Sequence, residues 1–165
     1  QFHSSITLDM KERRLKLGRR PIPKDALARA EYILSQAKEP VLQGVEQIYA
    51  RETVLLNEYP AQVETVLQAI RIGDLGIATT PCETFVETGL TIKKHSPLQP
   101  TFVIELANGY NGYLPTPAQH ALGGYETWRA RSSFLEVGAE EKIRTTLLSL
   151  LNEVAKGRNE DSAAT

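Results

Sequence analysis

Along "AQVETVLQAIRIG", positions 61–73, side chains alternate: Val63, Thr65, Leu67 and Ala69 fall on one face, and Val66, Gln68, Ile70 and Ile72 on the other. That period of two predicts a long strand. Gly73-Asp74 is a pair favoured in tight hairpin turns, and "LGIATTP" behind it reads as the returning strand of an antiparallel hairpin. Elsewhere the apolar spacing is helical. In "KDALARAEYILSQAKE" it picks out Leu27, Ala30, Ile33, Leu34 and Ala37, and in "GVEQIYARETVLLNEY" Val45, Ile48, Tyr49, Glu52, Leu55 and Leu56. The two runs predict a helical pair. A third and stronger stripe, Ile143, Leu147, Leu150, Leu151 and Val154 in "GAEEKIRTTLLSLLNEVAKG", has acids in its first turn and closes on Lys-Gly, signals of a C-terminal helix.

Weaker patterns fill the gaps. "SSITLDM" alternates like a strand and runs into "KERRLKLGRR", a basic stretch read as a solvated face rather than a site for phosphate or an acidic partner. Phe85, Val86, Leu90 and Ile92 predict a helix over 83–94, although Gly89 costs about 1 kcal/mol relative to Ala. "TFVIELAN" is a short apolar strand after Pro100, and Thr116-Pro117 has the form of an N-cap and first-turn proline for a short helix ending at Leu122. Together these elements predict a mixed α/β (α+β) domain over 1–156: a mixed sheet containing an antiparallel hairpin and flanked by helices, with 157–165 a disordered tail.

Composition narrows the function classes. A chain of 165 residues with 41% hydrophobic and 24% charged residues is ordinary globular material. It has no apolar run approaching the roughly 20 residues that span a bilayer. A net charge of -1 supplies no field for steering nucleic acid. One cysteine, Cys82, excludes an internal disulfide and any multi-cysteine zinc site. The chain begins Gln-Phe-His without an initiator Met, which reads as a piece of something longer.

The aromatic content is spent unusually. "ELANGYNGYLPTPAQHALGGYETW" places Tyr110, Tyr113 and Tyr125 in one glycine-rich loop with little core to fill, where a phenol is useful mainly for its oxygen as a hydrogen-bonding or metal-ligating group. Tyr113 and Tyr125, beside Gly112 and Gly123-Gly124, leave room for a substrate or ion to approach. Tyr110 fits a phenol packed on the sheet with its hydroxyl bonded to backbone. Glu83 sits where the second hairpin strand gives way to a helix, a place suited to a metal-bound carboxylate or to a helix cap.

The order "TTPCETFVETGL", "ELANGYNGYLPT", "GGYET" resembles the C-terminal half of the catalytic domain of the neutral ceramidases and their bacterial relatives. In that family a Pro-Gly-Glu segment supplies a zinc-ligating glutamate. An Asn-x-Tyr-x-x-Tyr-x-x-Thr segment supplies a zinc-ligating tyrosine, and a Tyr-Glu pair twelve residues on supplies a tyrosine that stabilises the oxyanion. The resemblance thus implies Glu83 and Tyr113 as zinc ligands and Tyr125 as a catalytic group. It implies a zinc-dependent amide hydrolase, an amide-containing lipid or related small molecule as substrate, and a secreted or periplasmic location. Cys82 stands where the family has glycine, and "PAQHALGG" departs from the family's surroundings of its substrate pocket. The family's two zinc-binding histidines and its serine nucleophile come from an N-terminal half that has no counterpart here. The resemblance therefore implies that half as a partner, docked on an apolar face left open. It also implies that this chain alone neither hydrolyses amides nor holds stoichiometric zinc.

Two other readings compete. Cys82 at a strand-to-helix junction, with His95 or His120 as base, would make a cysteine amidohydrolase; a free cysteine is more often a small buried hydrophobe. Alternatively the tyrosine loop grips a carbohydrate or peptide without chemistry. His3 lies in an end expected to fray, His95 beyond a helix terminus, and His120 on the short helix, none at metal-ligand spacing.

Overall fold

The computed structural model describes residues 5–37 and 41–157. In chain order the elements are β1 (Leu8–Gly18), α1 (Lys24–Ser35), α2 (Gly44–Asn57), β2 (Gln62–Ile72), β3 (Leu75–Thr79), β4 (Glu83–Thr84), α3 (Val86–His95), β5 (Thr101–Ile104), β6 (Tyr113–Leu114), α4 (Pro117–Leu122), a 3-10 turn (Tyr125–Thr127) and α5 (Ala139–Lys156). Four strands form a sheet in the order β1-β2-β3-β5, antiparallel except for the parallel β3–β5 pair. The mixed sheet with a hairpin and flanking helices is the predicted fold class.

The β2–β3 hairpin turns through Gly73, whose φ of 62° is the left-handed geometry that glycine tolerates without strain. β1 runs further than its alternation suggested, pairing from Leu8↔Ile72 to Gly18↔Gln62 straight through the basic stretch. The charges do not break the strand because they are matched laterally. Arg14 donates to Glu64 on β2 at 2.9 Å, and Arg13 reaches Glu153 on α5 at 2.7 Å.

Alternation then decides what covers the sheet. Thr65, Leu67, Ala69 and Arg71 of β2 are buried beneath α5, whose Ile143, Leu147, Leu150, Leu151 and Val154 face them as the periodicity predicts. Arg71 is the polar exception: it is 2% exposed, with Nε donating to Gly73 O and Nη1 to Val154 O in the last turn of α5. A cation meets the unpaired carbonyl end of a helix there. α3 flanks α5 and β5 on the same side.

The opposite face has no such cover among the described residues. Register places Leu8 beside Ile72 and Leu75, and Met10 beside Ile70, Ile77 and Phe102. Leu8 is 70% exposed, Met10 50%, Phe102 40% and Ile104 44%. Exposed apolar patches of this kind are candidate docking surfaces. No described helix is long and apolar enough to cross a membrane.

Candidate functional site

Glu83 does not open a helix. The chain leaves the buried run Thr79–Cys82 into the two-residue strand β4, and α3 starts only at Val86, behind an extended Phe85. Three consecutive extended residues cannot also form a first helical turn, so the helix-cap reading of Glu83 fails. β4 instead pairs in parallel with β6, in register Glu83↔Tyr113. Directly paired residues project their side chains to the same face, so the carboxylate and the phenol are neighbours by backbone geometry.

Backbone bonds fix this pair from both sides. Glu83 N donates to Gly112 O at 3.0 Å, and Tyr113 N to Ser132 O at 2.8 Å. Gly112 lies at φ 73°, and a Cβ there would stand 2.3 Å from Ser132 O. Only glycine permits the tyrosine loop to press this closely on the 130s segment.

Tyr125 arrives by a separate route. Thr116 caps α4 as its spacing with Pro117 predicts, and Gly123 and Gly124, at φ 84° and 111°, turn the chain back into the 3-10 turn. The Tyr125 ring then meets the Tyr113 ring edge-on, with centroids 5.7 Å apart and planes at 87°. Arg20, from the basic stretch, clamps this turn: Nη1 donates to Thr127 O at 2.7 Å, and Nη2 to Ser133 O and, at 2.9 Å, to Ser133 Oγ. Ser133 Oγ in turn donates to Glu126 O at 2.6 Å. The segment that holds Tyr113 therefore also holds the turn of Tyr125.

Electrostatics follow from the crowding. Tyr113 is pushed well above the ordinary tyrosine value, first by its polar contact with Tyr125, then by burial and by the Glu83 charge. Tyr110, expected to bond backbone, instead donates its hydroxyl to Glu83 Oε1 at 3.1 Å and is more than half exposed. Burial, then Glu83, raises its pKa. Sequence reasoning assigned it to packing because an Asn-Gly-Tyr loop gives no sign of which phenol faces the carboxylate. Tyr49, which helical spacing places on an apolar face, is a second phenol that the sequence pattern does not mark. It belongs to α2, its pKa is raised by burial, then by Glu52 and Tyr125, and its ring packs on Trp128 at 5.2 Å.

The other candidates fall outside this cluster. Cys82 is fully buried in the core, and burial pushes its thiol up to about 12, the reverse of what a nucleophile needs. His95 is the last residue of α3 rather than beyond it, exposed, with Nδ1 2.9 Å from Thr91 O. His120 is half-buried, its pKa lowered by burial and then by Arg20. His3 and the 158–165 tail lie outside the described residues. Among the described residues no three His, Cys, Asp or Glu side chains gather as a metal site. Glu83 and Tyr113 offer two oxygen donors, half of a four-coordinate zinc set.

No family model matches the sequence, and neither does any curated protein. The fold does match solved structures. One is a ceramidase complexed with C2, at TM-score 0.50 and 18% identity, with 85% of this chain and 20% of that chain covered. Another is neutral ceramidase from Pseudomonas aeruginosa, at TM-score 0.53 and 17% identity, with 88% and 28% covered. The chain spans less than a third of either protein. At these identities the likeness is one of fold, and the fold is ceramidase-like.

Proposed function

We propose that this chain supplies one wall of a zinc-dependent amide-hydrolysing site. Glu83 and Tyr113 hold the metal, and Tyr125 donates to the oxygen on which negative charge develops. The observation that supports this reading best is the parallel Glu83↔Tyr113 pairing with the Tyr125 ring against Tyr113. It sets a carboxylate and two phenols from three separate segments side by side. The opposite wall, with the remaining ligands and the nucleophile, belongs to a further part of the same domain, for which the bare apolar face of the sheet is the docking surface. The substrate class is an amide of a lipid or related small molecule, and the location is secreted or periplasmic.

Zinc in such a site polarises the scissile carbonyl. The chain's own residues do the rest. To ligate, Tyr113 would have to give up its proton, against a pKa already raised by its neighbours, so metal held there would bind more weakly as pH falls. Tyr110, bonded to Glu83 Oε1, orients the carboxylate. Tyr125, its turn held through Arg20 and Ser133, presents a phenol donor that need not reorganise as charge builds.

Zinc titration of this chain and of the intact polypeptide that carries it tests the reading. One-to-one binding is expected only in the intact protein, and is lost in Glu83→Gln. Submicromolar one-to-one binding by the chain alone would contradict the two-walled site, and binding by the intact protein that ignores Glu83→Gln would remove Glu83 from it.

A further inference from the structure

A cavity of about 680 Å³ beside the Glu83 cluster opens between α2, the start of β2 and the 130s segment. Its volume falls in the range of small-molecule sites. Ile48, Tyr49, Tyr59, Val63, Tyr110 and Phe134 give it an apolar and largely aromatic wall. The Tyr59 and Phe134 rings pack edge to face at 5.6 Å, so part of that wall is fixed before any ligand arrives.

What the polar groups have left to offer decides the ligand's charge. Glu52 Oε2 accepts from Arg131 N at 3.3 Å and Nε at 2.8 Å, while Oε1 accepts from Arg131 Nη2 at 2.8 Å and Arg51 Nη2 at 3.1 Å. A carboxylate has about four acceptor positions, and all are used. The guanidiniums are not exhausted: Arg131 commits Nε and Nη2, and Arg51 Nη2 alone, from the roughly five N–H donors each carries. Two cations thus share one anion, and the hydrogen-bonding capacity this ion cluster has to spare is donor only. Arg131 lines the cavity with its side chain 42% exposed, so that capacity is reachable.

We propose that this cavity binds a small carboxylate with an apolar body. The carboxylate sits on the free N–H groups of Arg131, with Arg51 supplying the surplus positive charge, and the body lies against Tyr59, Val63 and Phe134. Binding there needs neither zinc nor the opposite wall, so it stands or falls separately from the hydrolase reading. Sharing Tyr110 with the Glu83 cluster places the bound molecule beside that cluster.

The test uses this chain without added metal and three matched probes: 4-phenylbutyrate, 4-phenylbutanol and 4-phenylbutylamine. Trp128 is the chain's single tryptophan and packs on Tyr49 in the cavity wall, so its fluorescence reports occupancy. Calorimetry supplies the stoichiometry. Phenylbutyrate is expected to bind one-to-one and about tenfold or more tighter than the alcohol, with the amine weakest. Arg131→Gln should abolish the preference for the acid. Arg51→Gln, an exposed position that leaves the Arg131–Glu52 pair in place, should weaken the acid several-fold and leave the alcohol unchanged. Equal affinity for the three probes, no saturable binding, or indifference of phenylbutyrate to Arg51→Gln would overturn the proposal.

Discussion

The α5–sheet layer and the tyrosine wall are built on opposite economies of contact. In the first, Leu67, Ile143, Leu147 and Leu151 are fully buried, and each is held by many neighbours at once. In the second, Glu83, Tyr110, Tyr113 and Tyr125 remain half-buried or exposed, and their positions rest on a two-residue strand pair, a glycine contact and one half-buried arginine, Arg20. Stability therefore resides in the layer and geometry in the wall. Side chains brought together by long-range pairing yet left half-buried or exposed are where a binding or catalytic role is to be tested.

The contrast is sharpest for a cavity-creating change. Leu147→Ala, at a fully buried position of α5, should cost about 3 kcal/mol in chemical denaturation. Native-state titration of the tyrosines should be unchanged, because the wall does not lean on that side chain. Arg20→Met joins the two regions. It strands the Thr127 carbonyl and leaves Ser133 O with Ala130 N as its donor, so about 2 kcal/mol of stability is expected to go. As the Tyr125 turn loosens, the Tyr113 phenol should titrate closer to an ordinary tyrosine; an unchanged titration would show that Arg20 does not position the pair.

Acid titration probes the tether between α2 and the 130s segment. The Arg131 guanidinium, bonded through its side chain and backbone, holds Glu52 down to about 2 from 4.5. A carboxyl depressed in the folded state contributes its full stability above its ordinary range and loses it as pH falls from about 4.5 towards 2. Because Arg131 is 42% exposed, solvent screening limits the contribution to about 1–2 kcal/mol. Glu52→Gln should flatten that part of the stability–pH curve. The smallest effect belongs to the wall itself: Tyr113→Phe and Tyr125→Phe should each change stability by no more than about 0.5 kcal/mol. In the intact protein, Tyr125→Phe should lower kcat by about a hundredfold. A large loss of stability in either variant would make the phenols packing residues and erase the contrast.

The layer was legible in the sequence because burial imposes a period: the β2 alternation, the Gly73-Asp74 turn and the α5 stripe each survived into the structure. The basic stretch hid the length of β1, since lateral ion pairs leave no trace in a local pattern. "ETFVE" reads as helix because Phe85 and Val86 suit either period, whereas β4 depends on a partner thirty residues away. The same long-range pairing brings Glu83 beside Tyr113, and spacing along the chain does not encode it; the family-like order of motifs pointed there instead. Tyr110's bond to Glu83, Arg20's clamp and the cavity at Arg131 arise from contacts between distant segments, and periodicity is blind to these.

The most direct measurement is anomalous diffraction at the zinc edge from crystals of the intact polypeptide that carries these residues. The account predicts a peak about 2.0–2.2 Å from a Glu83 carboxylate oxygen with the Tyr113 phenolic oxygen in the same coordination shell. A zinc ion bound elsewhere, with both of those oxygens outside its shell, would contradict it.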